Sequence, residues 1–336
     1  MNGITRFLSQ QELTEKDLWK IVKPHLRKVQ SNEAILIIDD SVEEKPYTDK
    51  SELICWHFDH TKNRTVKGIN LLSCLYLSQG ISLPVGFELI RKTELVTDPK
   101  TGKEKWQSAK TKNEMARQMI ASALHRQIPF QYVLNDLWFA SAENMVFIKD
   151  KGKDFLMPIK SNRRVALSEE LKKQGKWQPI SSLTLDTDSD APVTIYLESV
   201  PFPLSLYRQV FTNEDGSQGI LYLVTSDLLL SSTAMTTIYQ KRWSATWDKW
   251  AGKIEEYHKS LKSNACFAKS PTKRVRTQSN HFFASLVAFV KLESYRISTR
   301  LNHFAVKAKI YQAALASAFR ELQNIKVACL GTATIL

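Results

Sequence analysis

Two apolar strings in this 336-residue chain each end in a carboxylate. One is Ala34-Ile35-Leu36-Ile37-Ile38-Asp39-Asp40, and the other is Tyr132-Val133-Leu134-Asn135-Asp136. Carboxylates at strand ends above a mixed sheet commonly line a binding crevice. A third acidic string comes much later, Ile254-Glu255-Glu256-Tyr257-His258-Lys259-Ser260-Leu261-Lys262. On a helix, Glu255 and Lys262 share a face about 10 Å apart along the axis, with His258 and Lys259 flanking it. An acid that ligates a metal, with a lysine one to two turns away for phosphate, suits phosphoryl transfer. Asp39 and Asp40 stay open as alternatives. Alternate residues of a strand point to opposite faces, so only one of them can enter a crevice.

The elements that must hold these acids can be read from periodicity. Ile35 to Ile38 are four consecutive apolar residues, mostly β-branched, which predicts a strand buried on both faces. Leu53–Asp59, Val66–Leu77 and Ser82–Ile90 predict three more strands, an antiparallel meander after the buried one. Residues 8–30 and 111–126 carry apolar residues at helical spacing, as does Ala142–Lys149. From Asp154 to Leu230 the texture is β-rich: Val193–Leu197, Leu206–Phe211 and Ile220–Thr225 predict strands, with a hairpin turn at Asn213–Ser217. After Ser231 the chain is helical, through Ile238–Arg242, Ile254–Lys262, His281–Arg296 and Ala305–Leu322. The whole is an α/β chain.

Charge narrows the partner. Lys and Arg number 47 against 34 Asp and Glu, giving +13 and an isoelectric point near 9.4. Ten bases and three acids fall between Tyr239 and Arg276, so that stretch alone carries +7. An anionic partner is expected, with nucleic acid the commonest for such a surplus. The basic, hydroxyl-bearing loop with Lys273, Arg274 and Arg276 suits phosphate contacts without base readout. Trp243, Trp247 and Trp250 are candidates for core packing or for stacking on an unpaired base. Trp56-His57-Phe58-Asp59-His60 has metal-ligand residue types, but strand alternation splits them between faces, which favours a structural role. No run of about 18 apolar residues exists to span a membrane. The N-terminus has no apolar secretory core, and the four cysteines form no C-x-x-C pair. A reduced, cytoplasmic protein without a cysteine-based zinc site is the expectation.

Taken together, Ile37-Ile38-Asp39-Asp40-Ser41, Leu134-Asn135-Asp136, Tyr239-Gln240-Lys241-Arg242-Trp243 and Glu255 to Lys262 resemble the DDE transposases of bacterial insertion sequences. More narrowly they resemble the insertion-sequence-four-like branch with its Tyr-Arg-Glu-Lys signature. The resemblance implies an RNase H-like core of mixed sheet flanked by helices, with a β-rich insertion between the second Asp and the Glu. It implies metal-dependent DNA cleavage and strand transfer, that is, DNA transposition and recombination by a magnesium endonuclease. Asp39, Asp136 and Glu255 would hold two Mg²⁺ (or Mn²⁺) ions. Tyr239, Arg242 and Lys262, with Lys273, Arg274 and Arg276, would bind DNA, both transposon ends and target. A homodimer assembled on DNA ends is implied, with no membrane partner. The implied organisation is a shortened N-terminal helical segment (1–32), a first core part (33–152), the β-rich insertion (153–230) and a second core part with C-terminal helices (231–336).

Two departures from that pattern stand out. The branch separates Arg from Glu by three residues, whereas twelve lie between Arg242 and Glu255, the extra ones being roughly 245–253. In one continuous helix, nine extra residues would turn the two halves about 180° apart. Only about 38 residues precede Asp39, where such transposases usually carry a longer helical segment. Two rivals follow: an inactive, decayed transposase that still binds DNA, and an RNase H-like nuclease without strand transfer.

Overall fold

The computed structural model describes residues 3–332, apart from 60–61, 100, 184–190, 213–215, 243–252, 268 and 271. Helices α1 (Gly3–Ser9) and α2 (Glu15–Val29) come first. At the start of α2 the Thr14 backbone N–H donates to the Asp17 carboxylate at 3.1 Å, half of a capping box. Leu18, Val22, Leu26 and Val29 form its buried stripe, the periodic face expected from sequence.

Four strands follow: β1 (Ile35–Glu44), β2 (Cys55–Asp59), β3 (Arg64–Ser78) and β4 (Ile81–Leu89). A separate small hairpin pairs β5 (Glu94–Thr97) with β6 (Glu104–Gln107). Then come α3 (Lys112–His125), β7 (Tyr132–Asn135), α4 (Ala142–Asp150) and β8 (Asp154–Ile159). β3 runs antiparallel to both β1 and β4, while β1, β7 and β8 run parallel to one another. β1 is therefore central, paired along both edges. That position is why Ile35 to Ile38 are all apolar and all buried. Gly68 of β3 lies so close to β1 that a Cβ there would stand 2.2 Å from the Glu43 carbonyl oxygen. Any larger residue would push the two strands apart.

The predicted β-rich stretch contributes β8, β9 (Arg164–Ala166), α5 (Glu169–Lys173), β10 (Gln178–Pro179), β11 (Val193–Leu197), β12 (Pro203–Thr212) and β13 (Gln218–Thr225). These strands prolong the central sheet: β13 pairs antiparallel with β8, and β12, β11, β9 and β10 follow in order. The middle of the predicted turn at Asn213–Ser217 lies outside the described residues.

The rest is helical: α6 (Ser232–Arg242), α7 (Lys253–Ser263), α8 (Val275–Thr299) and α9 (His303–Thr332). α7 is clamped on its apolar face. Tyr257 sits edge-on to Phe289 at 4.9 Å and shares a 3.1 Å hydroxyl contact with Ser73 of β3. Arg296 of α8 donates to Glu256 at 2.7 Å, and Ser260 meets His303 Nδ1 at 2.8 Å. Trp243, Trp247 and Trp250, together with the extra residues 245–252, lie outside the described residues. Among the described residues, no helix is long and apolar enough to cross a membrane.

Candidate active site

Helix α7 has two working faces. Ile254, Tyr257 and Leu261 are buried in the core, while Glu255, His258 and Lys262 follow the intervening positions. His258 Nε2 lies 3.2 Å from Asp39 Oδ2, and Lys262 Nζ lies 3.8 Å from Glu43 Oε2. Asp39 and Glu43 are four residues apart on β1, so strand alternation puts them on one face. That face meets α7. Asp40 serves the opposite side, accepting from Asn70 at 2.8 Å and from Lys112 at 2.7 Å.

Arg242, the last residue of α6, supplies the second cation at Asp39, with Nη2 at 3.5 Å from Oδ1. The pair is largely shielded, with 8% and 14% of the two side chains exposed. Tyr239 lies one turn earlier, buried, with its hydroxyl 3.5 Å from Arg242 Nη1. Burial pushes the Asp39 carboxyl up, but the His258 hydrogen bond and the Arg242 charge outweigh it and hold it below its ordinary value. Asp136, which follows β7, goes the other way. Burial and the neighbouring charge of Asp39 raise it to about 6, against a partial pull from Arg242. Glu255 is also raised, first by burial, with Asp39 adding repulsion and Arg242 opposing it. Asp136 and Glu255 thus each feel Asp39, and Arg242 feels all three carboxylates.

Twelve residues separate Arg242 from Glu255 in sequence, yet Arg242 stands at Asp39 and Glu255 lies within range of both charges. α6 is described up to Arg242 and α7 from Lys253, and residues 243–252 between them lie outside the described residues. Arg242, with Tyr239 beside it, stands at Asp39, with Asp136 and Glu255 within range of the Asp39 charge. Lys262 reaches Glu43, farther along β1. Lys273, Arg274 and Arg276 are exposed around the start of α8, with Lys273 3.1 Å from Asp49. His57 is buried beside Cys55, Nε2 to Sγ 3.1 Å, in line with a structural role. His60 lies outside the described residues.

Sequence reasoning gave no role to several neighbours. His258 was visible as the residue one turn after Glu255, but its bond to Asp39 is a tertiary fact. A cleft of about 780 Å³ opens beside Asp136, lined among others by Lys112, Trp138, Lys160 and Arg163. Trp138 is 53% exposed. Asp136 accepts from the Trp138 backbone N–H at 3.0 Å, which fixes the turn carrying both.

Residues 1–179 match the family described as DDE superfamily endonuclease. The chain belongs to that family. The matched part contains Asp39 and Asp136 and the strands β1, β3, β4, β7 and β8, and the family's RNase H-like fold agrees with this α/β architecture of mixed sheet and flanking helices. This is therefore an endonuclease-type chain whose family acts on DNA. No curated protein matches it.

Enzymes of the DDE superfamily generally use divalent metal ions. Among the described residues, no group of three His, Cys, Asp or Glu side chains stands close enough together to hold one. The donor chemistry nevertheless fits a hard cation, since all three acids offer carboxylate oxygens. Glu255 Oε2 is buried without a hydrogen-bond partner, and the raised Asp136 and Glu255 carboxyls mark a surplus of negative charge that a cation would relieve.

Proposed function

We propose that this DDE endonuclease is a transposase of the insertion-sequence-four-like branch. It would cleave DNA at element ends and join the freed 3′-hydroxyl to target DNA, working as a homodimer on those ends. The observation that carries this reading is the position of Arg242 at Asp39, within the field of Asp136 and Glu255. An Arg from one helix and an acid from the next converge on the strand-borne carboxylates despite the long spacing. The strands between Asp136 and Glu255 support the same branch, whose β-rich insertion falls there.

Asp39, Asp136 and Glu255 are the residues that would hold two Mg²⁺ or Mn²⁺ ions. Bound there, such ions lower the pKa of an attacking water or hydroxyl and stabilise the leaving oxygen. The protein's own groups do the rest. Asp136 and Glu255, with raised pKa values, take up protons in mild acid and then cease to attract a cation. Arg242 offsets part of the carboxylate charge and presents N–H donors to a phosphate oxygen. Tyr239 backs its guanidinium. Lys112, Lys160 and Arg163 line a cleft beside Asp136 that receives the strand backbone, while Lys262, Lys273, Arg274 and Arg276 take flanking phosphates.

The test uses linear DNA carrying the segments that flank this coding sequence, incubated with Mg²⁺ or Mn²⁺. Cleavage followed by joining of the cut end to a second DNA is expected from the parent. D39N, D136N and E255Q should each abolish both. Cleavage without joined product would demote the chain to a nuclease, and cleavage that survives E255Q would remove Glu255 from the site.

A further inference from the structure

Among the described residues, helix α9 is anchored only at its beginning. His303 and Val306 are buried, and Lys307 Nζ donates to the Ser263 carbonyl at 2.7 Å. Between and beyond them the helix presents large apolar side chains to solvent: Phe304, Tyr311, Leu315, Phe319, Leu322 and Ile325 are between 48% and 65% exposed. At 100° per residue these six fall within a stripe about 120° wide. Five of the six also follow a heptad spacing, and Phe319 flanks it. Ala308, Leu315 and Leu322 repeat every seven residues, and Tyr311, Ala318 and Ile325 repeat three residues later. That alternation of three and four is the seam of a two-stranded coiled coil.

We propose that α9 pairs in parallel with α9 of a second copy of this chain, over roughly residues 304–325. Area and charge choose this occupant. Covering the six side chains removes on the order of 600 Å² from each helix, so a pair reaches the lower edge of a standard protein interface. In the heptad register Glu321 immediately precedes the seam residue Leu322, and Lys326 immediately follows the seam residue Ile325. Those flanking positions, five residues apart, face each other across a parallel pair. Glu321 of one copy therefore meets Lys326 of the second copy, and the two-fold axis repeats the pair. The base of α9 is tied to α7 through Ser260 and His303, so the pairing is built onto the helix that carries Glu255.

This locates the homodimer of the preceding reading, yet it is measured without DNA, metal or activity, so either conclusion can fail alone. Light scattering and sedimentation of the full chain should give twice its 38.5 kDa mass. L315E/L322E should be monomeric with unchanged circular dichroism in the remainder of the fold. E321K should weaken the dimer about five- to tenfold by setting lysine against lysine, and E321K/K326E should restore it. A parent that stays monomeric up to ~100 µM, a dimer that survives L315E/L322E, or a double charge swap no tighter than E321K would each overturn the proposal. The surface charge swap keeps the test decisive even if the seam variant folds poorly.

Discussion

Arg242 Nη2 stands 3.5 Å from Asp39 Oδ1, and His258 Nε2 stands 3.2 Å from the other carboxylate oxygen of the same residue. One carboxylate in the middle of β1, which runs on to Glu44 rather than stopping at the acids, thus joins the last residue of α6 to the middle of α7. Removing one partner of a shielded ion pair leaves the other charge uncompensated, which costs more than the pair contributes. With His258 still in place, R242A should lower stability by about 2–4 kcal/mol at neutral pH. Asp39 titrates below its ordinary value in the fold, so its contribution is present above about pH 4 and is lost as pH falls through the folded value. Urea unfolding at pH 7 and pH 3 should show the R242A penalty shrinking in acid. An equal penalty at both would mean that packing, not charge, is what Arg242 supplies.

Asp136 has the opposite sign. Its carboxyl rises from 3.8 to about 6 in the fold, so the native state binds the proton more tightly than the unfolded chain. Its ionisation then destabilises the protein progressively between about pH 4 and pH 6. D136N, in solution free of divalent metal, should be more stable than the parent at pH 7 by up to roughly 2–3 kcal/mol. The gain should vanish near pH 3.5. Thermal unfolding across that range checks it, and a destabilised D136N at pH 7 would place the carboxylate in a favourable pairing instead.

Asp39 and Asp40 separate by partner. Asp39 faces Arg242 and His258, whereas Asp40 is held by Lys112 and Asn70. D39N should abolish cleavage outright. D40N should retain activity reduced by about ten- to a hundredfold, the scale for loss of a supporting residue behind a ligand. Metal titration by calorimetry should follow the same order. Equal loss in the two variants would assign the crevice to both acids.

DNA affinity should fall steeply with salt. Replacing Lys273, Arg274 and Arg276 by Ala should weaken binding to all sequences alike and flatten the log–log salt slope by up to about 2.7, at 0.9 per phosphate contact. K160A/R163A should reduce it by up to about 1.8 on the same scale. Fluorescence anisotropy at several salt concentrations reads both. A parent without salt dependence would exclude a phosphate backbone as the ligand.

Much of this protein is legible in one dimension because its strongest signals are local. The run Ile35 to Ile38 announces a strand buried on both faces, and the acids after it and after Leu134-Asn135 announce a crevice. The helical periods of α2, α3, α7 and α8 follow from burial of one face, which leaves its mark every three to four residues. β8, Asp154–Ile159, falls within the stretch read as β-rich and is buried from Phe155 to Ile159. What tertiary structure alone decided is who meets whom. Nothing in the spacing of Arg242 and Glu255 shows that both come within range of the Asp39 carboxylate. Nothing in the string Glu255 to Lys262 shows that His258 bonds Asp39 while Lys262 is carried on to Glu43. Nor does sequence choose between Asp39 and Asp40. That choice rests on which face of β1 packs against α7, and packing is a property of the assembled sheet and helices, settled by contacts between residues far apart in the chain.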